Sequence, residues 1–100
     1  MAKKQTREEE LNEVRALYMQ NPYWRGQYEN APSEECKAMV EYLWFNLCGH
    51  TAEERKENDD VEARMTKTDW MYMYKYAGRN PFSTYCKKMA AKAEAEGRIG

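Results

Sequence analysis

The chain is poor in the residues that fill most protein interiors. Leucine, valine, isoleucine and phenylalanine together supply 10 of its 100 residues, half of the roughly 20% below which chains tend toward disorder. Long apolar stretches are missing too. The longest uncharged apolar run, Trp70 to Tyr74, is far below the roughly 20 residues of a spanning helix, which excludes that kind of membrane protein. Met1-Ala2-Lys3-Lys4 leads into Arg7 and three glutamates without an apolar segment, so no secretory signal is expected. The three cysteines include no Cys-x-x-Cys pair; this argues against a disulfide framework and for a reducing, cytoplasmic setting. Glycine-rich phosphate loops, Gly-x-Ser-x-Gly and His-Glu-x-x-His are all absent, removing the commonest catalytic signatures. Neither charge dominates. A net of −1 makes the molecule as a whole no polycation seeking nucleic acid.

What is present in place of aliphatics is eight tyrosines, three tryptophans and seven methionines. Each ring buries on the order of 150–250 Å², enough to replace several aliphatics. The composition therefore predicts a folded domain with an interior of rings and adaptable thioethers. Rings in excess of what so small a core can hide are expected at the surface, where they form interfaces. At this length one domain is expected over 1–100, with residues 1–5 as a flexible start.

Helix signals recur along the chain. Thr6 and Glu9 have capping-box spacing, Glu8 to Glu10 favour a first turn, and Leu11, Val14 and Tyr18 share a face. Asn21-Pro22 closes this element, and Pro22 to Glu29, weakened by Gly26, reads as a helical turn. Pro32 to Glu35 start the strongest helix, with Cys36, Val40, Leu43 and Leu47 on one face and Gly49 as its stop. Thr51 and Glu54 open a helix that is wholly polar from Arg55 to Asp60, a mark of a solvent-facing, partner-facing or frayed segment. Thr66 to Tyr76 fits both a strand and a helix capped by Thr68. A lone strand would have no sheet to join, so helix is the consistent choice. Asn80-Pro81 opens a last helix with Phe82, Tyr85, Cys86, Met89 and Ala93 on one face. The expected architecture is all-α, an irregular bundle of about four helices.

Charge is distributed unevenly. Residues 31–65 carry four Lys/Arg against nine Asp/Glu, a net of −5; residues 66–100 carry seven against three, a net of +4. Opposed poles favour oriented docking, or neutralise each other across the fold.

Four chemistries are open to these residues. Cys36, Cys48, His50 and Cys86 make a Cys₃His set, but structural zinc sites usually bring two close pairs and only Cys48-Gly49-His50 is close. Packed thiols are the preferred reading, with no metal or cofactor expected. Cys48 with His50 as nucleophile and base lacks a third group to orient the imidazole, so no enzyme is expected. From 70 to 92 the basic residues Lys75, Arg79, Lys87, Lys88 and Lys92 alternate with rings, Trp70 first among them, and no acid intervenes. Such a segment suits phosphates and stacked bases of a single strand, unless the rings face inward. Protein recognition is the preferred reading. Tyr23, Trp24, Arg25 and Tyr28 combine residue types enriched at hot spots. The acidic stretch with Glu53, Glu54, Glu57, Asp59 and Asp60 would guide a basic partner. The expectation is a small inhibitor or adaptor acting on a nucleic-acid-handling complex, or a homo-oligomer hiding its rings against itself.

Overall fold

The structure, a computed structural model, describes residues 5–78 and 81–100. These form six α-helices and no strand: α1 (Arg7–Met19), α2 (Pro22–Glu29), α3 (Glu34–Trp44), α4 (Ala52–Arg64), α5 (Lys67–Ala77) and α6 (Pro81–Ala95), with a 3-10 turn at Phe45–Cys48. The all-helical expectation holds; the count of about four does not.

Two local features raise the count. At α2 the Asn21 side chain accepts from the Tyr23 N–H at 2.9 Å and Pro22 is preset at the first position. That start suffices to make a true helix of 8 residues despite Gly26. Farther on, the segment 51–76 divides because Met65 and Thr66 are both extended, with ψ of 141° and 172°. Thr66, not Thr68, caps α5. Its hydroxyl accepts from the Asp69 N–H at 3.2 Å, and the Asp69 carboxylate accepts from the Thr66 N–H at 3.0 Å. The strand alternative for 66–76 falls with this.

Helix α3 is the hub, packing against α1, α2, α4 and α5, while α6 lies along α5. The core takes Cys36, Met39, Val40 and Trp44 from α3, Trp70 and Met73 from α5, and Cys86, Ala90 and Ala93 from α6, joined by Val14 and Met65. Small alanines on α6 opposite bulky α5 residues let the two axes approach. At the far end of α6, Gly97 takes φ 84°. Its N–H and that of Arg98 reach back to the Glu94 and Ala93 carbonyls at 3.1 and 2.8 Å, a turn that a side chain at position 97 would strain. The tail then crosses to α5, where the Arg98 carbonyl accepts from the Lys67 N–H at 2.7 Å.

The molecule measures 54 × 30 × 23 Å with a radius of gyration of 14.6 Å, above the about 13 Å of a spherical domain this long. Elongation leaves more surface per residue, so rings are half-covered more often than sealed in. Trp44 and Trp70 are buried, Trp24 and most tyrosines are half-buried, and only Tyr23, Tyr74 and Tyr85 among the described rings are exposed. The expected surface surplus of rings is thus smaller than composition suggested, because ring–ring contacts absorb it. Of the expected flexible start, residues 1–4 lie outside the described residues; Gln5 donates to Glu13 at 2.6 Å. Arg79 and Asn80, the latter the expected cap of α6, also lie outside them. No helix among the described residues is long and apolar enough to cross a membrane.

Candidate functional site

A cleft of about 420 Å³ opens between α2, α3 with its 3-10 extension, the end of α5 and the start of α6. Tyr18, Trp24, Leu43, Trp44, Tyr76 and Phe82 form most of its wall. Their placement follows from local signals. The Asn21-Pro22 start sets Tyr23 and Trp24 in the first turn of α2. Tyr18, at the end of α1, stacks on Trp44 with centroids 5.0 Å apart and planes within 5°. Trp24 meets Tyr18 edge-on at 5.8 Å, and Tyr23 meets both Trp24 at 4.7 Å and Tyr76 at 5.7 Å. These offset and edge-to-face pairs suit the ring quadrupole. A hydrogen bond fixes the two sides to each other: the Tyr72 hydroxyl donates to the Gln27 backbone carbonyl at 2.6 Å. Burial pushes the Tyr72 pKa up, keeping its proton in place.

This wall is unusual in two respects. None of its described residues is charged, although charged residues make up 33% of the chain. Two of its residues, Gln27 and Trp44, are 5% and 3% exposed, and their Oε1 and Nε1 atoms have no hydrogen-bond partner. Buried polar atoms are nearly always paired, so these two are exceptions within the fold, and each is itself sealed from solvent.

The acidic stretch lies elsewhere. Helices α2 and α4 each pack on α3 and share no substantial interface with each other, so the aromatic turn and the acidic row are not one patch. Along α4, Glu53, Glu57, Asp59 and Asp60 are exposed. Glu54 is not free. Arg7 grips it with Nη2–Oε1 at 2.5 Å and Nε–Oε2 at 3.0 Å, and the Thr51 N–H donates to it at 2.9 Å. The Arg7 hydrogen bond is the main reason its pKa falls to about 2. Glu54 and Glu57 border a smaller cleft of about 280 Å³ shared with Tyr42 and His50. There the imidazole stacks on Tyr42, centroids 3.8 Å apart, with Nε2 2.7 Å from Asn46 Oδ1. Desolvation lowers the His50 pKa.

No family model, curated protein or solved structure matches this chain. Its own geometry has to carry the functional reading.

The remaining candidates are placed as follows. Lys75, Lys87 and Lys88 are exposed on the α5–α6 hairpin, while Arg79 falls outside the described residues. The rings between them are mostly engaged. Trp70 is sealed in the core, Tyr74 carries the Lys87 ammonium 5.8 Å from its centroid, Tyr76 carries that of Lys75 at 5.9 Å, and the Tyr85 hydroxyl donates to Glu62. The inward-facing alternative describes Trp70, whereas Tyr76 is half-buried and Tyr74 and Tyr85 stay exposed. Arg25 is exposed beside Tyr23, and Lys37 sits 5.7 Å from the centroid of Tyr28. The four zinc candidates are not drawn together. Cys36 lies 3.6 Å from the Met73 sulfur, the Cys48 thiol donates to the Phe45 carbonyl at 3.3 Å, and His50 faces Asn46. Burial pushes the Cys36 and Cys86 pKa values up to about 12, the behaviour of packed thiols.

Sequence reasoning missed Gln27, whose polar side chain gives no hint of burial. It also credited Tyr76 to the basic segment, whereas the fold sets it against the aromatic turn.

Proposed function

We propose that this chain is a non-enzymatic binding module that recognises another protein, anchoring it at the aromatic cleft. The observation that carries this reading is the cleft itself: a ring-lined hollow, uncharged along its described wall, with an exposed Tyr23 beside it. Its volume falls within the roughly 300–1,000 Å³ typical of small binding sites, and its residue types are those of hot spots. The row Glu53, Glu57, Asp59 and Asp60 serves as the electrostatic guide toward a basic partner. In the most concrete version the chain is an inhibitor or adaptor whose carboxylates stand in for phosphates on a nucleic-acid-handling complex. Against catalysis stands the pair Cys48 and His50, whose polar atoms are directed to Phe45 and Asn46. Burial raises the Cys48 pKa, where a nucleophile needs it lowered.

The test is capture from the native lysate with nuclease present, comparing the wild type with Tyr23→Ala and with Lys replacing all four guide acids. Tyr23→Ala is expected to lose the partner at any salt, while the charge reversal slows association and abolishes its salt dependence. Retention of the partner by both variants refutes the assignment. Loss of all binding on nuclease treatment would favour the second reading, in which Lys75, Lys87 and Lys88, exposed on one hairpin, hold a nucleic-acid strand. Its affinity would then fall steeply with salt.

A further inference from the structure

Resting on the reading of the α4 acids as the guide to a basic partner, the smaller cleft gives that guide a seat. We propose that the hollow of about 280 Å³ between α1, α3 and α4 takes the guanidinium of an arginine of the partner. The Glu57 carboxylate and the Asn58 Oδ1 accept from its N–H groups, and the Tyr42 and Phe45 rings flank it.

Most charges of this wall are already spent. Arg15 pairs with Glu41 at 2.5 Å and donates to Asn12 at 2.6 Å, and Glu54 is held by Arg7. Glu57 differs. It lines the cleft, is exposed, and makes no ion pair or hydrogen bond with any described residue, so its charge has no counter-ion. Asn58, also in the wall, adds an acceptor of fixed sense. Its Nδ2 donates to the Glu62 carboxylate at 2.8 Å; a carboxylate only accepts, so the carboxamide cannot turn over. The residue is 6% exposed, yet its Oδ1 takes no hydrogen bond from a described residue and, unlike Gln27 Oε1, is not sealed from solvent. Free acceptors select a donor. An anion would meet no uncommitted cation in the wall, since Arg15 is engaged and desolvation keeps the His50 imidazole neutral at neutral pH. The local field agrees: burial raises the Tyr42 pKa first, and Asp59, Glu62 and Glu54 add to it against Arg55, which itself donates to the His50 carbonyl at 3.2 Å. Shape and hydration favour a guanidinium over an ammonium. Its flat fork reaches a carboxylate and an amide oxygen together, and its weak hydration suits a hollow lined with rings. The wall already holds one such contact, with the Arg15 guanidinium 5.5 Å from the Phe45 centroid.

The test is an NMR titration of the full chain with N-acetyl-arginine amide, read at His50. That residue is the one histidine of the chain and lines the cleft, so its Hε1 signal reports the site without ambiguity. Controls are the N-acetyl amides of citrulline, which keeps the shape without the charge, and of lysine. Arginine is expected to move the signal saturably, to bind more tightly than lysine, and to exceed citrulline by about tenfold. Glu57→Gln, at an exposed and unpaired position that the fold does not need, is expected to erase that margin. Glu53→Gln makes the same charge change on α4 outside the wall and is expected to alter affinity by less than about twofold. Absence of a saturable shift, citrulline equal to arginine, or equal effects of the two variants would overturn the cation site; lysine equal to arginine would overturn the choice of guanidinium. Should any of these occur while capture of a protein partner still depends on Tyr23, the seat fails and the binding-module reading survives. Should arginine bind as expected while no captured protein depends on Tyr23 or the guide acids, the cleft is a site for a small cation and the protein-partner reading fails instead.

Discussion

Helices α4 and α5 each open with a threonine whose hydroxyl accepts from the third residue's N–H and whose own N–H is taken by that residue's carboxylate, Thr51 with Glu54 and Thr66 with Asp69. In each case a second element also reaches the carboxylate: Arg7 from α1 grips Glu54, and the Ser33 hydroxyl at the start of α3 donates to Asp69 at 2.8 Å. Beyond the cap the two helices diverge. Asn58 is the sole buried residue of α4, whereas α5 buries Asp69, Trp70, Met73 and Ala77. Equal local signals therefore start two helices of opposite character. A cap decides where a helix begins; the apolar face decides what the helix is for. Helix α4 packs on α3 yet keeps Glu53, Glu57, Asp59 and Asp60 exposed, while α5 is a structural wall whose far end forms one side of the aromatic cleft.

Substitutions break this comparison in graded steps. Trp70→Ala removes a ring that is 0% exposed and is expected to cost about 3–5 kcal/mol in urea unfolding, a large part of the stability of a small domain. A loss under 1 kcal/mol would mean that α5 is not the wall described here. Next comes Asp69→Ala, which removes the carboxylate half of the capping box and leaves the Ser33 O–H without its acceptor; about 2–3 kcal/mol is expected by the same measurement. Asp69→Asn, which keeps an acceptor, should recover part of it.

The smallest effect belongs to Glu54→Gln, where solvent reaches the pair and screens it. It carries a pH signature. Because the folded-state pKa of Glu54 lies at about 2 against an ordinary 4.5, its charge stabilises the fold fully above about pH 4.5. That contribution drains away as pH falls toward 2. The gap between wild type and Glu54→Gln should therefore close across that window. A gap that is constant with pH would show that Arg7 does not hold the carboxylate.

Most of the helical architecture was legible from the caps and stripes. Thr6 and Thr51 are where their spacing put them, α3 begins within the expected Pro32 to Glu35, and Cys36 and Val40 face the core, whereas Leu47, expected on the same face, is exposed because α3 gives way to the 3-10 turn after Trp44. Legibility ended where two local signals competed. Thr66 and Thr68 are both plausible caps, and only the burial of Asp69, bonded from both Thr66 and Ser33, selects the first. It ended again at the site. Tyr76 and Trp24 are 52 positions apart in the chain, and nothing in either neighbourhood announces that they line one cleft.

The sequence by itself determined that this protein is helical and where most of its helices start, because hydrogen bonds between residues three apart and the periodicity of apolar positions act within one or two turns. It also determined that rings would do the work of missing aliphatics. Which rings are sealed, which line the cleft, and that Gln27 and Trp44 remain unpaired in its wall were decided only when α2 and α5 both came to rest on α3. Those outcomes depend on contacts between distant positions, and contacts of that range are set by how whole helices pack.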